Sequence, residues 1–157
     1  MVGDPATDVA ALDRQFRVNV GGVAAAVRAA APLMGEGGRI ISIGSTVGER
    51  VILPGLSDYA ATKAAVAAYA QGWARDLGPR GNVVEPGPLD TDMNPDGTEF
   101  AATLKATTAL GRYGKPAEIA AAVAFLASPA GRLHHRRHPQ RRWRPARLIA
   151  ARPPPEE

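Results

Sequence analysis

The sequence contains no cysteine, which excludes disulfide bonds and thiolate metal sites. Aromatic residues make up only 5% of the 157 residues, so the 45% apolar content is largely alanine, which buries little surface per residue. No uninterrupted apolar run approaches the ~20 residues that a membrane-spanning helix needs. The N-terminus lacks the basic flank and apolar stretch of a signal peptide. These absences predict a cytoplasmic domain with a thin core and no membrane partner.

Acidic residues are also missing from residues 132–152, a region that is rich in arginine and holds all 3 histidines. The net charge of +4 comes from this region, because residues 1–131 carry more acidic than basic side chains. Arginines can bind nucleic-acid phosphates and histidines can bind metals, but this segment offers no acidic or thiol partner for a metal. We therefore divide the chain into a domain of residues 1–131 and a disordered basic tail of residues 132–157. We predict neither nucleic-acid nor metal binding.

Hydrophobic spacing in residues 1–131 alternates between helix and strand periodicity. In chain order it predicts an amphipathic helix over 9–32, a buried strand over 39–45 and a helix over about 57–77, with Ser57 or Asp58 as its N-cap. A short strand over 82–85 follows. After a loop with a short helix, the last predicted helix covers 117–127. Strands that alternate with helices predict an α/β fold with a parallel sheet, although two strands alone make a small one.

The sharpest chemical feature is the pair Tyr59 and Lys63. Residues four apart lie on one face of a helix, one turn from each other. An ammonium beside a phenol stabilises the phenolate, so the phenol can exchange a proton with a carbonyl or alcohol oxygen near neutral pH. Taken alone, the pair also fits an ordinary helix surface.

Two further polar residues add context to this pair. Ser45 ends the first predicted strand, and strand ends in α/β sheets are where ligands bind. Its hydroxyl can bond a substrate oxygen, or it can simply belong to a turn. Asn19 lies within the first predicted helix, where asparagine is mildly unfavourable. It is either a solvent-facing residue or a polar group that holds a water.

Five motifs occur in the order and spacing typical of one family. They are Phe16–Gly21, Ile41–Ser45, Tyr59–Lys63, Pro86–Thr91 and Gly111–Ile119. In these motifs, which span about residues 4–131, the chain resembles classical short-chain dehydrogenases/reductases. Its sequence is most similar to 3-oxoacyl reductase-like members. The resemblance implies the C-terminal half of that fold, a partial Rossmann-like, doubly wound parallel sheet.

The resemblance also implies roles for individual residues. Tyr59 would be the general acid/base, Lys63 would assist it and hold the nicotinamide ribose, Ser45 would orient the substrate oxygen, and Asn19 would position a water in the proton relay. Pro86, Gly87, Leu89 and Thr91 would meet the nicotinamide end of NAD or NADP. The implied reaction is reversible hydride transfer between this cofactor and a small carbonyl or alcohol substrate. The family also implies a homo-oligomer that pairs through the two long helices.

The sequence departs from the family in its cofactor-binding region. The family opens with a glycine-rich turn before a helix, which binds pyrophosphate and precedes the residue that selects NAD or NADP. No Gly-x-x-x-Gly-x-Gly sequence occurs here, and Gly35–Gly38 is interpreted as a turn. We therefore expect the chain to be truncated at its N-terminal side and impaired as an enzyme. The alternatives are a non-catalytic nucleotide-binding or dimerising relative and an inactive gene remnant.

Two other departures concern the second strand and the tail. About three residues are missing between Arg80 and Pro86, so the strand is expected to be shifted in register or too short to reach its neighbour. Leu133–Arg144 can be encoded so that dropping one base gives Phe-Ile-Thr-Gly-Ala-Thr-Leu-Asn-Val-Asp-Gly-Gly, a family-like segment. We therefore expect a frameshift near Arg132, which the DNA sequence across this point tests.

Overall fold

A computed structural model describes residues 4–78 and 80–131. The predicted basic tail, its histidines and the predicted frameshift lie outside the described residues. In chain order the structure contains α1 (Val9–Phe16), a π-helical segment (Arg17–Gly22), α2 (Val23–Ala30), β1 (Ile40–Ile43), α3 (Ser57–Asp76), β2 (Gly81–Val84), α4 (Glu99–Ala106) and α5 (Pro116–Ala127), with short 3-10 turns at Ala31–Leu33 and Thr46–Gly48. Within the described residues, no helix is both long and apolar enough to cross a membrane.

The first predicted helix is confirmed as one continuous helical rod, α1 to α2, but the π-helical segment within it was not predicted. Asp8 begins the rod, because its side chain accepts a hydrogen bond from the Ala11 amide. Val20, Ala24 and Val27 are buried, and their three- and four-residue spacing puts them on one face. This face turns toward the core.

Strands β1 and β2 pair in parallel over four residues, with Ile40 opposite Gly81 and Ile43 opposite Val84. The Gly44 amide extends the ladder by donating to the Val84 carbonyl at 2.7 Å. The expectation that β2 is too short to reach its neighbour was therefore wrong. The first residue of β2, Gly81, lies close to α3, because a Cβ there would sit 3.2 Å from the Ala74 nitrogen. The bare backbone lets the strand begin directly beneath α3.

Helix α3 crosses between the strands and packs against α2. Ala24, Val27 and Trp73 form a buried cluster there. The prediction that Ser57 or Asp58 caps α3 was wrong, because the Leu56 carbonyl already accepts from the Ala60 amide. Both predicted caps therefore lie inside the first turn.

A second apolar cluster lies under the segment that follows β2. Its buried members are Ala101 and Leu104 of α4 and Tyr113, with Ile52 and Leu53 packed against them. Ile52 and Leu53 belong to the loop that leads into α3, so this cluster ties α4 to the segment just before Tyr59. Helix α5 buries one residue, Leu126, among those described.

Candidate active site

Tyr59 and Lys63 lie in the first two turns of α3, and both are half-buried. The Lys63 Nζ lies 5.7 Å from the centroid of the Tyr59 ring. It also donates a hydrogen bond of 3.1 Å to the carbonyl of Ile43, the last residue of β1. The ammonium therefore sits between the tyrosine ring and the end of the strand.

Burial gives this ammonium an unusual electrostatic setting. Desolvation lowers the pKa of Lys63 from its ordinary value of 10.5. Among the described residues, its Nζ contacts the Ile43 carbonyl and the Tyr59 ring, neither of which is an anion. The positive charge of Lys63 is therefore available to an anion that forms nearby.

Ser45 follows β1 and is 9% exposed. Its Oγ accepts a hydrogen bond of 3.2 Å from the Val47 amide, which starts the 3-10 turn Thr46–Gly48. A hydroxyl has one proton, and this bond does not use it. Ser45 can therefore still donate to another oxygen at the end of the strand.

Asn19 lies in the π-helical segment and reaches across to α3. Its Nδ2 donates to the Thr62 Oγ1 at 3.3 Å, and the Thr62 hydroxyl donates to the Tyr59 carbonyl at 2.7 Å. Asn19 is thus linked through Thr62 to the backbone that carries the phenol. Single π-type turns in helices are frequent at functional sites.

The predicted cofactor-binding segment leaves β2 beside Ser45. The Pro86 carbonyl accepts from the Thr46 amide at 3.0 Å and from its hydroxyl at 3.3 Å. Leu89 forms a parallel bridge with Gly114, which closes the base of the loop that contains α4. Thr91 is exposed, and its backbone bonds Asn94. The structure therefore joins Pro86 to the segment after Ser45, whereas Leu89 and Thr91 belong to a separate loop.

Comparison with known proteins relates this arrangement to a family. A family model described as enoyl-(acyl carrier protein) reductase matches residues 5–134. The cyclic-di-GMP-binding biofilm dispersal mediator protein of Escherichia coli (strain K12) is 46% identical over 121 residues, 75% of this chain and 51% of that protein. A 3-oxoacyl-[acyl-carrier-protein] reductase of Vibrio harveyi is 46% identical over 97 residues, 59% of this chain and 39% of that protein.

A solved structure gives the same result in three dimensions. The short chain dehydrogenase from Burkholderia cenocepacia J2315, in complex with NADP, superposes with a TM-score of 0.77 at 47% identity, covering 81% of this chain and 53% of that one. The chain belongs to the short-chain dehydrogenase/reductase family. This short-chain dehydrogenase/reductase chain spans about half the length of the relatives it matches. The predicted family and partial Rossmann-like fold are confirmed.

Two residues of this short-chain dehydrogenase/reductase site were missed in the sequence. Gly48 was not among the residues singled out in the sequence, yet a Cβ there would lie 2.8 Å from the Ala64 nitrogen and 2.9 Å from the Lys63 carbonyl carbon. Its bare backbone therefore brings the turn after Ser45 against Lys63. Thr62 gave no signal, because its bond to Asn19 joins residues 43 apart.

A groove in this short-chain dehydrogenase/reductase lies elsewhere, between α2 and α3. It has a volume of about 670 Å³, and its lining includes Tyr69 and Trp73 together with small, aliphatic and charged side chains. These two rings stack with centroids 5.0 Å apart. None of the predicted catalytic residues lines this groove.

Proposed function

We propose that this chain carries the proton-transfer half of an oxidoreductase that moves a hydride between NADP(H) and a small carbonyl or alcohol. The observation that carries the proposal is the position of the Lys63 ammonium, between the Tyr59 ring and the carbonyl that ends β1. Family membership supports the reaction class. The NADP in the solved relative favours NADP over NAD, both of which the sequence left open.

In this proposal Tyr59 gives its proton to the substrate oxygen during carbonyl reduction and recovers it during alcohol oxidation. Lys63 stabilises the phenolate that remains, because opposite charges at this range favour the ionised phenol. The Ser45 proton, which no described bond uses, holds the substrate oxygen in place. Asn19 positions a water that returns protons from solvent.

The donor set around Lys63 fits a nicotinamide nucleotide. An ammonium has three donors, and the described bond to Ile43 uses one, so two remain for ribose hydroxyls. Pro86, Gly87, Leu89 and Thr91 would contact the nicotinamide end. When bound, the cofactor supplies or accepts the hydride, and the protein supplies orientation and proton transfer. The glycine-rich phosphate turn is absent from the sequence, so we expect weak binding and little or no turnover by this chain alone.

The test is a titration of the full chain with NADPH, followed by nucleotide fluorescence and by backbone amide NMR spectra, which detect weak binding. We expect Lys63→Met to weaken the interaction by about tenfold or more, because it removes charge-assisted hydrogen bonds. The matched control is Lys115→Met, an exposed lysine before α5.

If Lys63→Met and Lys115→Met bind NADPH equally strongly, Lys63 does not belong to the binding site. Tight, saturable binding in the micromolar range would contradict the expected impairment. No binding at all, with the chain folded, would exclude the nucleotide-binding alternative and favour a dimerising relative or an inactive gene remnant.

We also propose that two copies of the chain pair through α2 and α3 in the cytoplasm. The lining of the groove beside these helices includes Ala65, Ala68 and Gly72, whose small side chains permit close helix approach, and the exposed ring of Tyr69 offers apolar area. We expect Ala68→Arg to shift the chain from dimer to monomer in sedimentation experiments, because it adds a charge to this face. Ala121→Arg on exposed α5 is the control. A monomeric wild type would contradict this pairing.

A further inference from the structure

We infer that Thr62 is a positioning residue that fixes the orientation of the Asn19 carboxamide. Thr62 is only 1% exposed, although it carries a hydroxyl. It lies between Tyr59 and Lys63 on α3 and faces the π-helical segment that carries Asn19. The inference rests on the proposed function, because an oriented amide matters to catalysis only where Tyr59 exchanges a proton.

The Thr62 hydroxyl has one proton, and this proton is donated to the Tyr59 carbonyl at 2.7 Å. The oxygen of Thr62 can then only accept a bond from Asn19. Asn19 must therefore present Nδ2 to Thr62, at 3.3 Å, and turn Oδ1 away. The threonine selects one of the two amide orientations.

The selected orientation leaves a specific group available. Within residues 4–78 and 80–131, no hydrogen bond is found for the Asn19 Oδ1. An amide oxygen is an acceptor with two lone pairs, so it can hold a water. With the opposite orientation, the amide would turn its oxygen toward an oxygen that has no proton left to give. That arrangement would place two acceptors against each other and lose the hydrogen bond between Asn19 and Thr62.

A purely local role for Thr62 explains only one of its two bonds. Threonine in a helix commonly bonds the carbonyl three or four residues earlier, as Thr62 does with Tyr59. The second bond, to a residue 43 positions earlier, is not required by helix structure. It connects the first helical rod to the turn of α3 that holds the phenol.

The test uses the full chain and the side-chain amide signals of Asn19 in ¹⁵N NMR spectra, assigned by their loss in Asn19→Ala. Thr62→Val keeps the shape of the side chain but removes the hydroxyl. We expect it to shift these signals and to speed exchange of the amide protons with solvent by about 3- to 10-fold, as loss of one hydrogen bond implies. Thr62→Ser keeps the hydroxyl and should restore the wild-type signals.

If Thr62 acts only in packing, the Asn19 signals of Thr62→Val should stay close to wild type and those of Thr62→Ser should shift. That result would overturn the inference. If the valine variant does not fold, Thr62→Ser and Thr62→Ala form the matched pair, because both lack the methyl group and only Ser keeps the hydroxyl. Equal Asn19 signals in that pair would also overturn it. The readout needs no nucleotide, so failure of the proposed function in the NADPH titration is separately visible.

Discussion

At the scale of single residues, the site depends on one lysine held by backbone. Lys63 donates to the Ile43 carbonyl, and this bond holds its side chain at the strand end. Burial lowers the pKa of Lys63, and among the described residues no acidic side chain contacts its Nζ to offset that effect. An acidic partner would neutralise the charge that the phenolate needs. The pairing of Tyr59 with Lys63 could be predicted from the sequence because it is local, one helical turn apart.

Contacts between distant segments could not be predicted in this way. Gly48 resembles any loop glycine until the fold brings it against Lys63 and Ala64. Thr62 is an ordinary helix residue until Asn19 arrives from the first rod. Both roles arise from residues far apart in sequence, which neither periodicity nor local spacing records.

Replacing Gly48 with alanine tests the close approach between the turn after Ser45 and α3. The new Cβ would lie 2.8 Å from a backbone nitrogen of α3, so the turn must move away from Lys63. We expect a loss of about 1–3 kcal/mol in the free energy of unfolding, measured in urea. Gly21→Ala is the control, since a Cβ there meets nothing within 4 Å, and its effect should stay within about 1 kcal/mol. Equal effects of the two substitutions would refute the tight approach.

At the scale of elements, the type of each predicted helix and strand was confirmed, and what failed were details of hydrogen bonding. The π-helical segment Arg17–Gly22 has the same apolar spacing as a regular helix, so hydrophobic periodicity does not distinguish them. The start of α3 was predicted correctly, but its capping residue was not: Leu56 is the N-cap, and no side chain of Ser57 or Asp58 caps the helix. Sequence patterns record burial better than hydrogen-bond partners.

The start of α5 provides a prediction with a defined pH range. The Arg112 guanidinium, with help from the Lys115 amide, lowers the pKa of Glu118 from 4.5 to about 2. A carboxyl whose pKa is lower in the folded state stabilises the fold at pH values above its unfolded-state pKa. This stabilisation is lost as the pH falls toward the folded-state pKa. We therefore expect Glu118→Gln to be less stable than wild type at pH 7, with the difference declining between pH 4.5 and about 2.

Urea unfolding followed by circular dichroism at several pH values measures this difference. The control is Glu99→Gln, which removes an acid from the first turn of α4. A Glu118→Gln deficit that persists unchanged at pH 2 would show that the ion pair with Arg112 is not its source.

At the scale of the whole molecule, the family was predictable because five motifs keep their order and spacing across residues 4–131. The pairing of the shortened second strand with β1 was not predictable, because it joins segments that lie far apart in the sequence. The described sheet has two strands, β1 and β2, and the chain spans about half of its relatives. We propose that the reaction divides accordingly: this chain would contribute the proton-transfer groups, and tight nucleotide binding would need the glycine-rich phosphate turn that its sequence lacks.

The most direct test of this proposal is the activity of a hybrid enzyme. The matching half of an NADP-binding relative is replaced by this chain, and NADPH oxidation is followed with a carbonyl substrate. We expect the hybrid to turn over and Tyr59→Phe to lower kcat by about 100-fold or more, the scale of general acid catalysis, while Tyr69→Phe in the α2–α3 groove leaves it nearly unchanged. A Tyr59→Phe hybrid that works as fast as its parent would contradict the account.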